Sequence, residues 1–433
     1  MHAIRAGLPV VCFCLSQVSA MAGEPPAIIP ATEPASNGDW CEWLSSKPGT
    51  LYKNSENPFI QEFGFGGRFH WNAAYLSGDD VNGYTFGESH TEFRRFRLNA
   101  SAQIFEYFKL QAYVNMVRDT TNLVAAAPFG GGKVRWGYDN FDQAHITFDI
   151  KKAFNVDSLD GLSLMYGRLK NEITNEAWTS SKRLLTVERS AIANTVFFGG
   201  LPTGVTLNAE KNGWNIWASL YSTDALTPLG GNTEFIGGWN DGLAYRLGVG
   251  YVASEELSFQ WDIIYNNADV TQGDDSLFRY KWVTSLSAVY DVGQWGLIGD
   301  FIYGDNGGVK NGVLNPSRGG DFWAIVVMPY YWFIDNKVQG VLRYQYQGSS
   351  EDEGIRVYSR YARADNGPVA NRGINGGRGN AHHSIYGGVN YYLCGNNVKL
   401  QVGLEYECLN TPGVGTEGEY SALTSWFGFR TYF

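Results

Sequence analysis

Apolar and polar residues alternate along most of the chain, beginning near Phe63. In the stretch that follows, Phe69 and Trp71 fall on one face of an extended chain, whereas Arg68 and His70 fall on the other. A period of two indicates β-strands with one apolar and one polar face. The same alternation recurs in Phe96–Ile104, Phe108–Met116, Trp214–Leu220, Leu243–Tyr251, Leu257–Tyr265, Val338–Tyr346 and Val398–Cys408.

The connections between these strands alternate between short turns and long loops rich in Gly, Asn and Asp. We count seven short turns and eight long loops, near 77–91, 119–141, 171–202, 222–241, 266–279, 304–320, 348–381 and 409–420. This rhythm is typical of outer-membrane barrels, which have short periplasmic turns and long extracellular loops. We therefore predict an all-β fold, a transmembrane antiparallel β-barrel of sixteen strands over 61–433. Both chain ends then lie on the periplasmic side of a bacterial outer membrane.

A soluble secreted β-sandwich or propeller is the alternative. We find no repeat of the roughly 40–50 residues that a propeller needs. The chain also ends in Trp426–Phe433, a strand with alternate aromatics, where soluble domains usually fray. These features favour the barrel.

The first sixty residues have a different character. Residues 1–22 resemble a secretory signal peptide, with Arg5 before the apolar stretch Ala6–Leu15 and a small-residue cleavage site at Ala20–Ala22. Residues 23–60 begin with a proline-rich run and are predicted to form a periplasmic N-terminal linker segment.

Composition narrows the function classes. The 433 residues carry a formal charge of −10, which argues against a nucleic-acid partner. Aromatic residues make up 15%, too many for a disordered chain. No metal-ligating, nucleophile or phosphate-loop motif is intact, so we predict no enzyme activity, no cofactor and no metal site.

Four short motifs resemble those of the phosphate-selective porin O and P family, and the resemblance runs from about Phe63 to Phe433. They are Glu92–Leu98 (EFRRFRL), Gly167–Lys170 (GRLK), Thr179–Lys182 (TSSK) and Val187–Ser190 (VERS).

The resemblance implies a homotrimeric porin whose third extracellular loop, about 171–202, folds into the barrel. It also implies anion contacts from Arg94 or Arg95, Arg97, Ser180 or Ser181, and Arg189. Anion-selective members are rich in lysines that face the lumen, whereas this chain has 13 Lys against 20 Arg, and its inward loop has only Lys170 and Lys182 as lysines. The resemblance therefore implies passive transport more strongly than phosphate selectivity.

Strand parity places several basic side chains on the polar, lumen-facing side. They are Arg68, His70, Arg95, Arg97, Lys109, Arg246 and Arg343. One interpretation is a set of guanidinium groups that replaces part of an anion's hydration shell. The other is that these arginines pair with Glu172, Glu176 and Glu188 and thereby fix the inward loop. The sequence leaves both open.

We therefore predict a water-filled channel for passive diffusion of small hydrophilic solutes, with a possible preference for anions. The alternatives are a dedicated channel for phosphate, polyphosphate or an organic anion, and a non-conducting structural or adhesive barrel. Expected partners are outer-membrane lipid and lipopolysaccharide, the latter through the charged loop 348–381.

Three cysteines follow the predicted signal peptide. Cys394 lies at a predicted periplasmic turn and Cys41 precedes the first strand on the same side, whereas Cys408 lies far along the next strand. A disulfide, if one forms, therefore joins Cys41 to Cys394.

Overall fold

The computed structural model describes residues 41, 42, 44, 49–118, 135–197, 201–223, 239, 242–267, 278, 280–307, 319–357 and 377–433. The predicted signal peptide 1–22 and the first part of the predicted linker lie outside the described residues.

Sixteen antiparallel strands form one sheet, and consecutive strands are hydrogen-bonded to each other. The last strand pairs with the first, from Ser421 opposite Asp79 to Tyr432 opposite Arg68, and this pairing closes the barrel. The predicted sixteen-stranded barrel is thus confirmed. The strands are β1 (Ile60–Asp79), β2 (Thr85–Ile104), β3 (Phe108–Arg118), β4 (Arg135–Asp149), β5 (Gly161–Arg168), β6 (Thr203–Lys211), β7 (Trp214–Ser222), β8 (Leu243–Val252), β9 (Leu257–Asn266), β10 (Trp282–Val292), β11 (Trp295–Asp305), β12 (Asp321–Ile334), β13 (Val338–Ser349), β14 (Ala381–Tyr392), β15 (Val398–Asn410) and β16 (Glu419–Tyr432).

The predicted alternation separates two environments. On β10, Ser285 and Ser287 are 1% and 2% exposed and face the lumen, whereas Leu286 and Tyr290 are 53% and 44% exposed and face outward. An apolar outer face suits hydrocarbon, and closure leaves no strand edge with unpaired backbone groups in it.

Aromatic pairs mark both ends of the outer face. Trp214 stacks on Tyr251 with ring centroids 4.4 Å apart near the short turns, and Trp282 lies 5.4 Å from Tyr303 near the other end. Such amphipathic rings are typical of the membrane interfaces.

The connections lie at two ends, as the rhythm of turns and loops predicts. Seven connections at one end are short, and a five-residue helix, α1 (Ile150–Phe154), occupies one of them. In one of the two tightest, between β6 and β7, Asn212 and Gly213 have φ of 50° and 81°, the values of a two-residue hairpin turn. The other end has eight connections, of which 169–202 and 350–380 are the longest.

The first predicted long loop, 77–91, is a much shorter turn. Strands β1 and β2 are each 20 residues long and leave only 80–84 between them. The Asp80 carboxylate accepts hydrogen bonds from the backbone N–H groups of Asn82 and Tyr84, at 2.8 and 3.0 Å, and closes the turn. Turn-forming residues near the strand ends made the loop look longer in the sequence.

Both described chain ends lie at the short-turn end. The segment Gly49–Lys53, within the predicted linker, forms an extra strand beside β1 at Glu62–Phe65, where β16 has already ended. Close by, the carbonyl of Phe433 accepts a hydrogen bond from Gly67 at 2.9 Å. A side chain at Gly66 would come within 2.6 Å of that oxygen, so the close approach requires glycine.

A disulfide joins Cys41 to Cys394, the pairing that the sequence predicts, with Cα atoms 5.1 Å apart. It fixes the segment before β1 to the turn between β14 and β15. Cys408 is free and partly exposed.

We expect Cys41→Ser to lower the free energy of unfolding by about 2–4 kcal/mol, because the disulfide closes a very long loop in the unfolded chain. Urea unfolding followed by tryptophan fluorescence, with and without reductant, measures this. The control Cys408→Ser should unfold like the unmodified protein. Peptide mapping that finds Cys41 and Cys394 as free thiols without reductant would contradict the prediction.

Candidate functional site in the barrel lumen

The connection between β5 and β6, residues 169–202, folds into the barrel and is called the inward loop below. It contains two short helices, α2 (Asn175–Trp178) and α3 (Ala191–Phe197). Its side chains Ile173, Ile192 and Val196 are at most 1% exposed and join an apolar cluster with inward residues of β1, β7–β12 and β14–β16. In the described part of the chain, this cluster has no member on β3 or β4. The loop therefore packs against one side of the lumen.

Carboxylates of β9 and β11 hold the start of the loop. The indole Nε1 of Trp178 donates to Asp262 Oδ2 at 2.7 Å, and the backbone N–H of Asn175 donates to both oxygens of Asp300 at 3.0 and 3.2 Å. Arg246 donates to the other oxygen of Asp262 at 2.7 Å and lies 4.4 Å from the centre of the Trp178 ring. These side chains thus serve to fasten the loop.

Arg343 on β13 fastens the middle of the loop. Its guanidinium donates to Glu176 Oε1 at 3.2 Å, to Thr186 Oγ1 at 3.2 Å and to the carbonyl of Glu188 at 2.8 Å. Its other arm donates to Glu405 Oε1 on β15 at 2.9 Å. The side chain is 1% exposed, so these contacts are shielded from bulk water.

Backbone carbonyls of the loop bind inward side chains of the last strands. Lys399 Nζ donates to the carbonyl of Leu184 at 2.7 Å, and Arg430 Nη2 donates to that of Val187 at 2.9 Å. Parity in β15 and β16 could have indicated both cations, because Arg430 alternates with Phe427 and Phe429. We did not identify either residue from the sequence.

The predicted arginines of β1 and β2 meet the inward loop on its other side. Arg68 Nη1 donates to Ser181 Oγ at 2.9 Å, and Arg94 Nε donates to Glu188 Oε1 at 2.6 Å. The interpretation in which arginines pin the loop therefore fits Arg94 and Arg343.

Three arginines stand close together on these two strands. Arg68 pairs across the strands with Arg97, and the next inward pair joins His70 to Arg95. We call Arg68, Arg95 and Arg97 the arginine cluster. Arg97 Nη1 donates to Asp142 Oδ2 on β4 at 2.6 Å, whereas neither Arg68 nor Arg95 forms an ion pair within the described residues. Like charges directly across two strands repel each other, so the pairing favours the presence of an anion.

The remaining predicted site residues occupy three places. Lys109 lies near the short-turn end of β3, opposite Thr147 on β4. Lys170 Nζ lies 4.0 Å from Glu172 Oε1, and Lys182 lies 6.0 Å from the centre of the Tyr432 ring, at the edge of the arginine cluster. The hydroxyl of Ser180 is buried, and it neither donates nor accepts a hydrogen bond within the described structure.

The Arg189 side chain forms its hydrogen bonds with other residues of the inward loop. Its Nε donates to the carbonyl of Glu176 at 2.6 Å and its Nη2 to that of Thr179 at 3.0 Å. Burial lowers the pKa of its guanidinium from the ordinary value, while the carboxylates of Glu176 and Glu188 act in the opposite direction. An arginine remains charged under these conditions.

The structure thus divides the predicted site residues into two groups. The arginine cluster lies with His70, Ser181 and Lys182 where the inward loop faces β1 and β2. Arg246 and Arg343 are only 4% and 1% exposed and are engaged in ion pairs with Asp262, Glu176 and Glu405, so they lie apart from this group. Parity alone could not separate the groups, because the path of the loop depends on contacts distant in sequence.

Among the described residues, no group of three His, Cys, Asp or Glu side chains is placed to hold a metal ion. No helix in the described ranges has the length and apolar character needed to cross a membrane.

Residues 63–308 match the model of a family described as phosphate-selective porin O and P. This match covers more than half of the 433 residues. The chain belongs to the phosphate-selective porin O and P family. A search of curated proteins finds no match to the sequence of this porin.

Solved structures of other outer-membrane proteins are similar in fold. The outer membrane channel DcaP of Acinetobacter baumannii shares 14% identity, with a TM-score of 0.52 over 88% of this chain and 100% of that one. OprB of Pseudomonas putida shares 13% identity, with a TM-score of 0.53 over 86% and 94%. Family and fold together identify this porin as an outer-membrane channel for solute diffusion.

Proposed function

We propose that this porin conducts small hydrophilic solutes passively and prefers anions. The observation that carries the proposal is the arginine cluster, in which Arg68 and Arg95 are unbalanced by any ion pair within the described residues. Guanidinium groups in a lumen with low-dielectric walls attract anions and replace part of their hydration shell.

The passage would run between the inward loop and the part of the wall formed by the arginine cluster, β3 and β4. The apolar cluster fills the opposite side, and Ser181 of the loop faces Arg68 of the wall. Asp142 and Glu188 neutralise Arg97 and Arg94, which keeps the attraction moderate. Moderate attraction suits conduction, because an anion must leave as readily as it enters.

The test is the reversal potential of the purified protein in planar bilayers under a KCl gradient. The proposal expects a potential displaced towards the chloride equilibrium value, and a cation-selective or unselective pore contradicts it. A dedicated phosphate or organic-anion channel would show chloride current abolished by low concentrations of that anion. A structural or adhesive barrel would show no conductance.

We also propose the orientation and surroundings that the sequence predicts. The short-turn end, with both chain ends, would face the periplasm, where an oxidising environment suits the disulfide between Cys41 and Cys394. The eight-connection end would face outward, where loop 348–381 meets lipopolysaccharide. Residues 1–22 would be removed as a signal peptide. A lumen lined by ion pairs that fasten a loop gives no support to catalysis.

The family resemblance implies a homotrimer, and we propose one. The outer face of β16, β1 and β2 supports it, because Phe69 lies 5.6 Å from Phe93 and 6.4 Å from Phe429 between ring centres. An aromatic patch on the outer face offers a packing surface to a second chain. Chemical cross-linking of the detergent-solubilised protein should yield a species of three chains, and a single-chain band alone would contradict it.

A further inference from the structure

A second polar surface lies on the lumen side of β3 and β4, between the arginine cluster and the short-turn end of the barrel. Gln111 pairs across the strands with His145, and Lys109 pairs with Thr147. Gln111, His145 and Thr147, which we call the polar track, are 6%, 3% and 3% exposed. None of these three residues belongs to the predicted site.

Each residue of the polar track has a buried atom without a hydrogen-bond partner in the described structure. These atoms are Gln111 Oε1, His145 Nδ1 and Thr147 Oγ1. Buried polar atoms rarely stay unpaired, because each one costs free energy when it has lost water and gained no partner. Water or a solute in the lumen would supply such partners.

Other inward side chains of the wall differ among themselves. Asn215 on β7 and Gln347 on β13 also have an atom without a partner among the described residues, whereas two others are satisfied within the protein. Thr206 on β6 donates to Ser219 Oγ at 2.9 Å. Lys399 on β15 binds the inward loop, which packs against that side. The polar track is distinguished by position: three neighbouring wall side chains next to the arginine cluster have buried atoms that no described residue completes.

The polar track is adjacent to the arginine cluster along β3. The Arg68 guanidinium carbon lies 5.4 Å from the centre of the Tyr113 ring. Tyr113 and Gln111 are successive lumen-facing residues of β3, a spacing of roughly 7 Å along a strand. A solute whose anionic group lies at Arg68 must therefore extend past the Tyr113 ring to reach Gln111 and His145, which requires an elongated molecule such as a six-carbon sugar with a terminal anionic group.

The chemistry of the unpaired atoms selects among anions. Gln111 Oε1 is an acceptor, Thr147 Oγ1 has acceptor lone pairs, and His145 Nδ1 accepts in one tautomer. Sugar hydroxyl groups can donate to them. Inorganic phosphate has at most two P–OH donors at neutral pH and is too short to reach the polar track while its charge lies at Arg68. A site that hydrogen-bonds a solute hydroxyl discriminates against a solute without one.

We infer that the preferred solute is an anion that carries several hydroxyl groups, such as a sugar phosphate or a sugar acid. The arginine cluster holds the anionic group, and the polar track binds the hydroxyls. This inference rests on the proposed anion preference and specifies the class of anion.

The experiment measures how strongly glucose 6-phosphate, inorganic phosphate and glucose each reduce the single-channel chloride current. We expect glucose 6-phosphate to act at about tenfold lower concentration than phosphate, equivalent to one or two hydrogen bonds. We expect glucose to be weaker than both, because it lacks the charge. Equal action of glucose 6-phosphate and phosphate on the unmodified porin overturns the inference without any variant.

The variants assign the effect to residues. In Gln111→Met with Thr147→Val, the advantage of glucose 6-phosphate should fall to about twofold or less, with phosphate action unchanged. The matched control Thr206→Val removes a wall hydroxyl that already has a partner and should keep the advantage. An advantage that survives in the double variant overturns the inference. If the reversal potential also shows no anion preference, the proposed function itself fails.

Discussion

Arg95→Glu should remove the anion preference or turn it into a cation preference. The Arg95 side chain stands in the lumen beside His70, next to the cross-strand pair of Arg68 and Arg97, and it has no carboxylate partner among the described residues. Reversing its charge changes the local charge by two units within a narrow, poorly screened space. We expect the chloride-to-potassium permeability ratio to fall on the order of tenfold.

The measurement is again the reversal potential in a KCl gradient, now compared among variants. Lys211→Glu is the matched control, because it reverses the same type of charge on an exposed side chain at the end of β6. That variant should leave the ratio nearly unchanged, since exposed charges are screened by salt. Equal ratios for Arg95→Glu and the unmodified protein would show that the arginine cluster does not determine selectivity.

Arg343→Met should loosen the inward loop and enlarge the passage. The substitution leaves Glu176 and Glu405 as buried carboxylates without this cation and removes the contacts with Thr186 and the carbonyl of Glu188. Breaking a buried ion pair from one side typically costs about 3–5 kcal/mol. We therefore expect unfolding at lower urea concentration, together with higher and noisier single-channel conductance.

Arg378→Met provides the comparison for this second prediction. Its guanidinium lies 3.5 Å from Glu353 Oε2, and both side chains are at least 20% exposed. Partly exposed ion pairs contribute about 0–1 kcal/mol, so this variant should conduct and unfold like the unmodified protein. Normal conductance and stability in Arg343→Met would mean that the loop keeps its position without Arg343.

Much of the fold follows from local physics that the sequence displays directly. The alternation of Phe69 and Trp71 with Arg68 and His70 assigns the faces of β1, because successive side chains of a strand point to opposite sides. Turn residues such as Asn212 and Gly213 mark the hairpins. The turn at 80–84 was overestimated, because turn-forming residues also occupy the ends of β1 and β2.

The function of individual lumen residues was less predictable for a different reason. Arg95 and Arg343 have the same chemistry and the same parity, yet Arg95 belongs to the arginine cluster and Arg343 is enclosed by the inward loop. Whether an arginine attracts anions or fastens the inward loop depends on the positions of Glu176 and Glu188 in the fold. That position follows from contacts between residues more than a hundred positions apart, which periodicity does not encode.

The central claim is that solutes pass between the inward loop and the arginine cluster, beside Ser181. Chemical modification of Ser181→Cys, in a Cys408→Ser background, tests it most directly. An anionic, membrane-impermeant thiol reagent added to a single open channel should reduce the current in discrete steps, whereas Ser254→Cys at the exposed short turn between β8 and β9 should give no change. Unaltered current after complete modification of Ser181→Cys would contradict a solute path between the inward loop and the arginine cluster.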